Sequence, residues 1–89
     1  MSRPSLPPYP PCFSFCSDAE CCGHGLKYVW PELIGKLAWE AATIIKKDNP
    51  SVTVLVLKPG FVGLHDFCCN RVYVYTDENG KVFLIPRIG

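Results

Sequence analysis

The sequence has no clear excess of either charge and no long hydrophobic run. Its 89 residues contain nine Lys and Arg against eight Asp and Glu, a formal net charge of +1 at pH 7. Because binding to nucleic acid needs a clustered excess of Lys and Arg, nucleic acid is not expected as a partner. No apolar stretch approaches the roughly 18–20 residues of a transmembrane helix, so no membrane partner is expected. The length also excludes a Rossmann unit, a kinase or a hydrolase with a full catalytic triad.

The first residues lack the continuous apolar stretch of a secretory leader, which spans about 7–15 residues. Prolines at positions 4, 7, 8, 10 and 11 interrupt it. We therefore expect no classical export signal and a cytoplasmic location, although a vacuolar or extracellular location stays open. Since proline donates no backbone hydrogen bond, residues 1–25 are predicted to be a disordered, mobile Pro/Cys-rich segment. Residues 26–89, where prolines become sparse, are predicted to form the folded domain.

Six cysteines are many for a chain of this length. Four precede the domain, at Cys12, Cys16, Cys21 and Cys22, and the other two are adjacent, at Cys68 and Cys69. With His24, the first group could offer thiolate and imidazole ligands to zinc, but the spacing matches no known zinc finger. Disulfides or free thiols are therefore favoured over a metal site, and no metal or cofactor is predicted. Six cysteines allow fifteen complete pairings, and the residues alone do not select one.

Apolar residues three and four apart between Leu37 and Ile45 predict a helix of about ten residues. Lys46 and Lys47 lie in its last turn, where they favour the helix dipole, and Asn49 followed by Pro50 ends it. No Ser, Thr, Asp or Asn is present at residues 35–37 to accept the free amides at its start.

Two strands are predicted after the helix. Residues 52–57 are almost continuously apolar, which favours a central strand covered on both faces and paired in parallel. Residues 71–76 alternate, with Val72 and Val74 on one face and Arg71, Tyr73 and Tyr75 on the other. Asn79-Gly80 predicts a turn into a returning strand at residues 82–85, and Pro86 is expected to prevent further inward pairing. The long segment of residues 61–70 has no strand periodicity, and long ordered loops in small domains are often functional.

The remaining aromatic and histidine residues do not indicate catalysis. Trp30, Trp39, Tyr75 and Phe83 are expected in the core or on the sheet surface rather than at a ligand. His24 lies in the mobile segment and His65 in the loop, and neither has partners that would make a catalytic group. We therefore predict that the chain is not an enzyme.

The residues from Trp30 to Gly89 resemble the potato inhibitor I family of serine protease inhibitors. The resemblance is carried by WPELIGK at residues 30–36, Ala41-Ala42, Gly60, the stretch from Asp66 to Val72, and PRIG at residues 86–89. It implies an α+β fold in which a small twisted β-sheet packs on one α-helix and a long exposed loop is presented to a protease. It also implies a monomer with a role in plant defence and the response to wounding.

By position, the resemblance implies a protease-binding loop from Gly60 to Asn70 with its scissile bond between His65 and Asp66. The loop residues expected to contact the protease are Gly63, Leu64, His65, Asp66, Phe67 and Cys68. His65 would enter the primary specificity pocket, and its imidazole favours subtilisin- or chymotrypsin-like serine proteases over trypsin-like ones. Since the unperturbed pKa of histidine is about 6.5, inhibition is expected to depend on pH.

Arg71 and Tyr73 are the expected supports of the loop. Arg71 can donate paired hydrogen bonds to Asp66. The family usually has a second arginine at the position of Tyr73 and a threonine at Leu64, so either Leu64 packs on the Tyr73 ring or this brace is absent. Gly63 is expected to loosen the loop.

Cysteines also replace family features. Cys68 stands where the family often has an arginine, so an ion pair from there to the terminal carboxylate of Gly89 is not expected. Some family members have a disulfide to the position of Cys69, which implies Cys21 or, preferably, Cys22 as its partner here. Because these changes point to weaker inhibition, an alternative is a Cys-rich, metal- or thiol-dependent binding protein that keeps the fold.

Overall fold

One long helix and two parallel strands form the body of the molecule in a computed structural model, which describes residues 12, 14–63 and 67–89. The elements in chain order are helix α1 (Ala19–Cys22), a 3₁₀ helix (Pro31–Leu33), helix α2 (Ala38–Asp48), and strands β1 (Thr53–Leu57) and β2 (Arg71–Tyr75). Helix α2 packs against both strands. The expected α+β fold with one main helix is confirmed.

Helix α2 agrees with its prediction. Ala41 and Ile45 are buried on its inner face, and Lys46 and Lys47 lie in the last turn. The backbone N–H of Asn49 donates to the carbonyl of Ile45 (2.9 Å), where the helix ends. At the other end, Glu40 Oε1 accepts from the backbone N–H of Leu37 (3.3 Å). A first-turn carboxylate thus serves the helix start in the absence of an N-cap side chain.

Strands β1 and β2 are parallel, as predicted, with a register from Thr53 opposite Arg71 to Leu57 opposite Tyr75. The prediction that β1 is covered on both faces is wrong, because Val56 is 45% exposed. Val56 shares a face with Val54, which packs against the core, so the cover on β1 does not extend over the end of that face. In β2, Val72 and Val74 are buried while Tyr73 and Tyr75 are half-buried, so the predicted alternation is confirmed there.

The chain after β2 pairs differently from the prediction. Asp77 to Gly80 forms the predicted turn, in which the Gly80 N–H donates to the Asp77 carbonyl (3.0 Å) and Gly80 has a φ of 76°. A returning strand at residues 82–85 is not formed, since Val82 makes an isolated bridge to Thr76 and residues 83–85 are exposed.

Pairing resumes after Pro86, contrary to expectation. Ile88 pairs with Val72 and Arg87 with Val29, both antiparallel. Proline lacks only the donor, and its carbonyl still accepts from the Trp30 N–H (2.9 Å). The last residues are therefore held against the outer edge of β2.

The two tryptophans occupy opposite environments. Trp30 is fully buried, and its indole N–H donates to Asp48 Oδ2 (3.0 Å) at the end of α2. Trp39, expected in the core or on the sheet, is instead 67% exposed on α2. It precedes Ala41 by two residues, which is more than half a helical turn, and so faces away from the core. Phe83 is likewise exposed and lies outside both strands.

The sequence predicts a mobile segment as far as residue 25, and that mobility stays a prediction. In the structure, part of residues 14–25 packs against the domain. Helix α1 lies there, capped by Asp18 Oδ1, which accepts from the Cys21 N–H (2.8 Å). Cys22 is buried in the core. Three disulfides join Cys12 to Cys68, Cys16 to Cys21 and Cys22 to Cys69. The prediction for residues 1–11 and 13 lies outside the described residues.

Candidate functional site

The connection between β1 and β2 is the candidate site. Parallel strands cannot be joined by a tight turn, because the chain must return from the end of one strand to the start of the next. Residues 58–70 make this return with no helix in the part that the structure describes. The loop leaves β1 through a turn in which the Phe61 N–H donates to the Lys58 carbonyl (3.0 Å) and Gly60 has a φ of 89°. Phe61 and Val62 follow and are exposed.

Arg71, Tyr73 and Tyr75 form a row on the face of β2 that lies away from Val72 and Val74. The Arg71 guanidinium carbon lies 4.5 Å from the centre of the Tyr73 ring, a cation–π contact. The rings of Tyr73 and Tyr75 are 6.0 Å apart and tilted. This support row arises because alternate residues of a strand share a face.

The support row holds the loop at Gly63. The Gly63 N–H donates to the Tyr75 hydroxyl at 3.2 Å. A methyl group on Gly63 would lie only 2.7 Å from Cδ2 and Cζ of Tyr73. The loop backbone therefore rests against the ring, at a distance that only glycine permits. Gly63 was expected to loosen the loop, but its missing side chain allows this close contact.

Arg71 joins the other end of the loop to the last residue. Although charged, it is only 1% exposed. Its Nε donates to the main-chain oxygen of Gly89 (2.8 Å), and the Gly89 N–H donates to the Arg71 carbonyl (2.9 Å). Arg71 thereby makes the contact to Gly89 that the residue at position 68, a cysteine, cannot make.

Phe67 and Cys68 lie in the part of the loop that leads into β2. Phe67 is partly buried against the core, with its ring beside Gly89. Its carbonyl accepts a hydrogen bond from the Ser14 hydroxyl. Cys68 is fully buried and bonded to Cys12, and the adjacent Cys69 is bonded to Cys22. The latter pair is the one that the resemblance implies.

The predicted scissile bond, between His65 and Asp66, lies outside the described residues, as does Leu64. Contacts of Arg71 with Asp66 and of Tyr73 with Leu64 therefore stay predictions. The structure places the two flanks of that bond: Gly63 on the support row, and Phe67 with Cys68 beside Cys12 and Ser14.

Tyr75 is the site residue that the sequence reasoning missed, since it was grouped with core and sheet-surface aromatics. Its alternation with Arg71 and Tyr73 was the available signal, because that pattern puts all three under one segment of chain. Only the return path of the loop brings Gly63 within reach of the hydroxyl.

All six cysteines are described, and all are in disulfides. Thiolates are therefore not available to bind a metal at Cys12, Cys16, Cys21 or Cys22 with His24. Among the described residues no cluster of His, Cys, Asp and Glu is suited to hold a metal ion. The alternative of a metal- or thiol-dependent binding protein has no support.

An exposed ion pair lies near the start of the domain, outside the loop. Lys27 forms an ion pair with Glu32, and the hydrogen bond from its ammonium lowers the pKa of that carboxyl. Both side chains are well exposed, so the pair contributes little to stability. No helix in the described part of the chain is long and apolar enough to span a membrane.

Comparison with known proteins identifies the architecture. Residues 22–89 match the Potato inhibitor I family. The chain belongs to this family. A trypsin/subtilisin inhibitor of Amaranthus caudatus is 42% identical over 71 residues, which cover 78% of this chain and 96% of the relative. A wound-induced proteinase inhibitor 1 of Solanum peruvianum is 44% identical over 75 residues, or 83% of this chain and 65% of the relative.

A solved structure supports the same assignment. The crystal structure of a bitter gourd trypsin inhibitor matches with a TM-score of 0.69 and 38% identity, covering 72% of this chain and 94% of that one. Because the family and these relatives are proteinase inhibitors, this member of the potato inhibitor I family is not an enzyme. The matched region begins at Cys22, so residues 1–21 lie outside it.

Proposed function

We propose that this chain inhibits serine endopeptidases by presenting the loop from Gly60 to Asn70 as a substrate-like segment. Its family membership supports the inhibitory activity, since relatives are named as inhibitors of trypsin and of subtilisin. The observation that carries the proposal is the attachment of Gly63 to the support row by the Tyr75 hydroxyl. This attachment holds the exposed loop in position before a protease binds.

A loop that is already held loses little conformational entropy when it docks. More of its contact energy then appears as affinity, which is the benefit of preorganisation. The same restraint favours re-formation of the peptide bond after cleavage. After the protease attacks the scissile carbonyl, the new amine stays near the acyl group and can re-form the peptide bond.

We propose that the scissile bond is His65–Asp66, with Gly63 and Leu64 before it and Phe67 and Cys68 after it. Arg71 is the proposed partner that orients Asp66, in addition to its observed contact with Gly89. A guanidinium can serve both because it carries several donors in a fixed plane.

Subtilisin- and chymotrypsin-like enzymes are the proposed targets. An imidazole is too short to reach the base of a pocket built for a long cation, and a shallow, broad pocket tolerates it better. Trypsin-like enzymes are therefore expected to be inhibited more weakly, although relatives are named for trypsin as well as subtilisin.

The test is a titration of the oxidised protein against subtilisin, chymotrypsin and trypsin, followed by sequencing of any cleaved product. We expect the strongest inhibition of subtilisin, weaker inhibition of chymotrypsin and the weakest of trypsin. Cleaved product should have a single new amino terminus at Asp66. A His65→Lys variant should shift inhibition toward trypsin, while Thr43→Ala, on helix α2, should leave the order unchanged. Rapid hydrolysis by all three enzymes without any inhibition would disprove the proposal, and a different new terminus would disprove the assigned bond.

A further inference from the structure

Cys12 and Ser14 lie before the residues that match the family model, yet they are fastened to the protease-binding loop. Cys12 is bonded to Cys68, with their Cα atoms 5.4 Å apart. The Ser14 hydroxyl donates to the carbonyl of Phe67. Two consecutive loop residues, both after the proposed scissile bond, are thus held by the same short segment.

The segment that holds them is itself fixed at several points. Cys16 and Cys21 are bonded with their Cα atoms 5.8 Å apart, which closes a small ring within the segment. Asp18 caps helix α1. At the far end, Cys22 is buried in the core and bonded to Cys69. The adjacent residues Cys68 and Cys69 are therefore bonded to Cys12 and Cys22, which lie at the two ends of the segment.

We propose that Cys12 and residues 14–21 act as a clamp that holds the carboxyl-terminal side of the cleaved loop in place for religation. In this role Cys12 and Ser14 are positioning residues, acting through Cys68 and Phe67. The inference rests on the proposed function, and it adds a device from a part of the chain that the family match does not include.

The chemistry shows where the clamp would act. Attack by the protease serine on the carbonyl of His65 breaks the peptide bond and leaves His65 as an ester on the serine oxygen and Asp66 with a free amine. Religation is the reverse step: the amine attacks the ester carbon, the bond to the serine oxygen breaks, and the serine takes up a proton from the amine. Water competes for the same ester.

The outcome depends on the local concentration of that amine. Positioning of a nucleophile beside its target can correspond to a very high effective concentration. The amine of Asp66 is attached to Phe67 and Cys68, so a clamp on these two residues restricts how far it can drift. On the other side of the bond, Gly63 is held by Tyr75. With both flanks fastened, religation is favoured over hydrolysis.

The experiment compares two paired variants with the oxidised wild-type protein. Cys12→Ser with Cys68→Ser removes the clamp, whereas Cys16→Ser with Cys21→Ser removes a disulfide that does not reach the loop. For each, one measures the rate of cleavage by subtilisin, the fraction of purified cleaved inhibitor that the enzyme converts back to intact inhibitor, and the free energy of unfolding.

Loss of the clamp should raise the cleavage rate on the order of tenfold and lower the religated fraction correspondingly. The control pair keeps the bond from Cys12 to Cys68 and should change both quantities by much less. Ser14→Ala keeps all three disulfides. It should raise the cleavage rate and lower the religated fraction, each by about two- to tenfold, which corresponds to one ordinary hydrogen bond. This variant decides the question if the double variant does not fold.

If cleavage and religation are unchanged in the folded clamp variant or in Ser14→Ala, the inference is overturned. The proposed inhibitory function would still stand. A lower free energy of unfolding with no change in religation would also overturn it, since the segment would then only stabilise the fold. If the wild-type protein does not inhibit at all, the proposed function itself fails.

Discussion

At the residue scale, the contact of Gly63 with Tyr73 sets how closely the loop can lie on β2. The φ of Gly63 is outside the left-handed region, so its backbone conformation alone would accept alanine. The constraint is the Tyr73 ring, because a methyl group added to Gly63 would lie 2.7 Å from its Cδ2 and Cζ atoms. In the sequence Gly63 is expected to make the loop more flexible, but in the structure the packing against Tyr73 requires a glycine at this position.

Gly63→Ala is therefore expected to lift the loop off the support row and weaken the hydrogen bond to Tyr75. The inhibition constant should rise on the order of tenfold, in keeping with about 1–3 kcal/mol for an overpacked site. The measurement is inhibition of subtilisin by the wild-type protein and the variant.

The second variant in this test is Gly63→Ala combined with Tyr73→Ala, which removes the ring that the methyl group meets. Because the two residues are in contact, their effects should not add, and the double variant should inhibit better than the sum of the single changes predicts. Strict additivity would show that Tyr73 does not limit position 63.

At the element scale, helix α2 and the two strands serve the loop by holding its ends. The inner face of α2 buries Ala41 and Ile45 beneath the strands, and its last residue, Asp48, accepts from Trp30. The parallel register places Leu57 opposite Tyr75 and Thr53 opposite Arg71. The chain then has to return by the length of a strand, and Gly63 meets the support row on that return.

Two positions on α2 separate its structural role from inhibition. Ile45→Ala should lower the free energy of unfolding by about 2–5 kcal/mol, because it leaves a cavity under β1 and β2. Trp39→Ala, on the exposed face, should change it by no more than about 0.5 kcal/mol. Urea unfolding measures both.

Neither side chain belongs to the loop or the support row, so the inhibition constant per folded molecule should stay at the wild-type value in both variants. An equal loss of stability from the two substitutions would contradict the assigned orientation of α2.

At the scale of the whole molecule, the three disulfides join segments that are distant in the sequence. Cys22 with Cys69 and Cys12 with Cys68 are 47 and 56 residues apart, whereas Cys16 with Cys21 spans only 5. Such bonds persist best in an oxidising compartment, which weighs against the cytoplasmic location expected from the first residues. The compartment and the monomeric state stay predictions.

Removal of the core disulfide should destabilise the whole molecule. Cys22→Ser with Cys69→Ser is expected to lower the free energy of unfolding by about 2–5 kcal/mol, since it opens a long loop and places hydroxyls in the core. Calorimetry on the oxidised proteins measures this. The matched control, Cys16→Ser with Cys21→Ser, opens only a short ring and should cost less. An equal loss from both pairs would rule out the core position as the reason.

Much of the fold follows from local patterns in the sequence. The spacing of Leu37 to Ile45 determined the helix, the alternation at residues 71–75 determined the faces of β2, and Asp77 to Gly80 determined the turn. These features depend on neighbours within a few residues, which is why they can be read without the tertiary structure. The loop was also located between two strands, because residues 61–70 lack the strand periodicity of the segments on either side.

Only the tertiary structure decided which distant segments meet. It paired Ile88 with Val72 after a proline that was expected to end pairing, exposed Trp39, and brought Tyr75 under Gly63. It also selected Cys12 as the partner of Cys68, which carries the segment before the domain onto the loop. These contacts join residues far apart along the chain, and the free energy that selects them comes from packing and pairing of the assembled molecule rather than from any local sequence pattern.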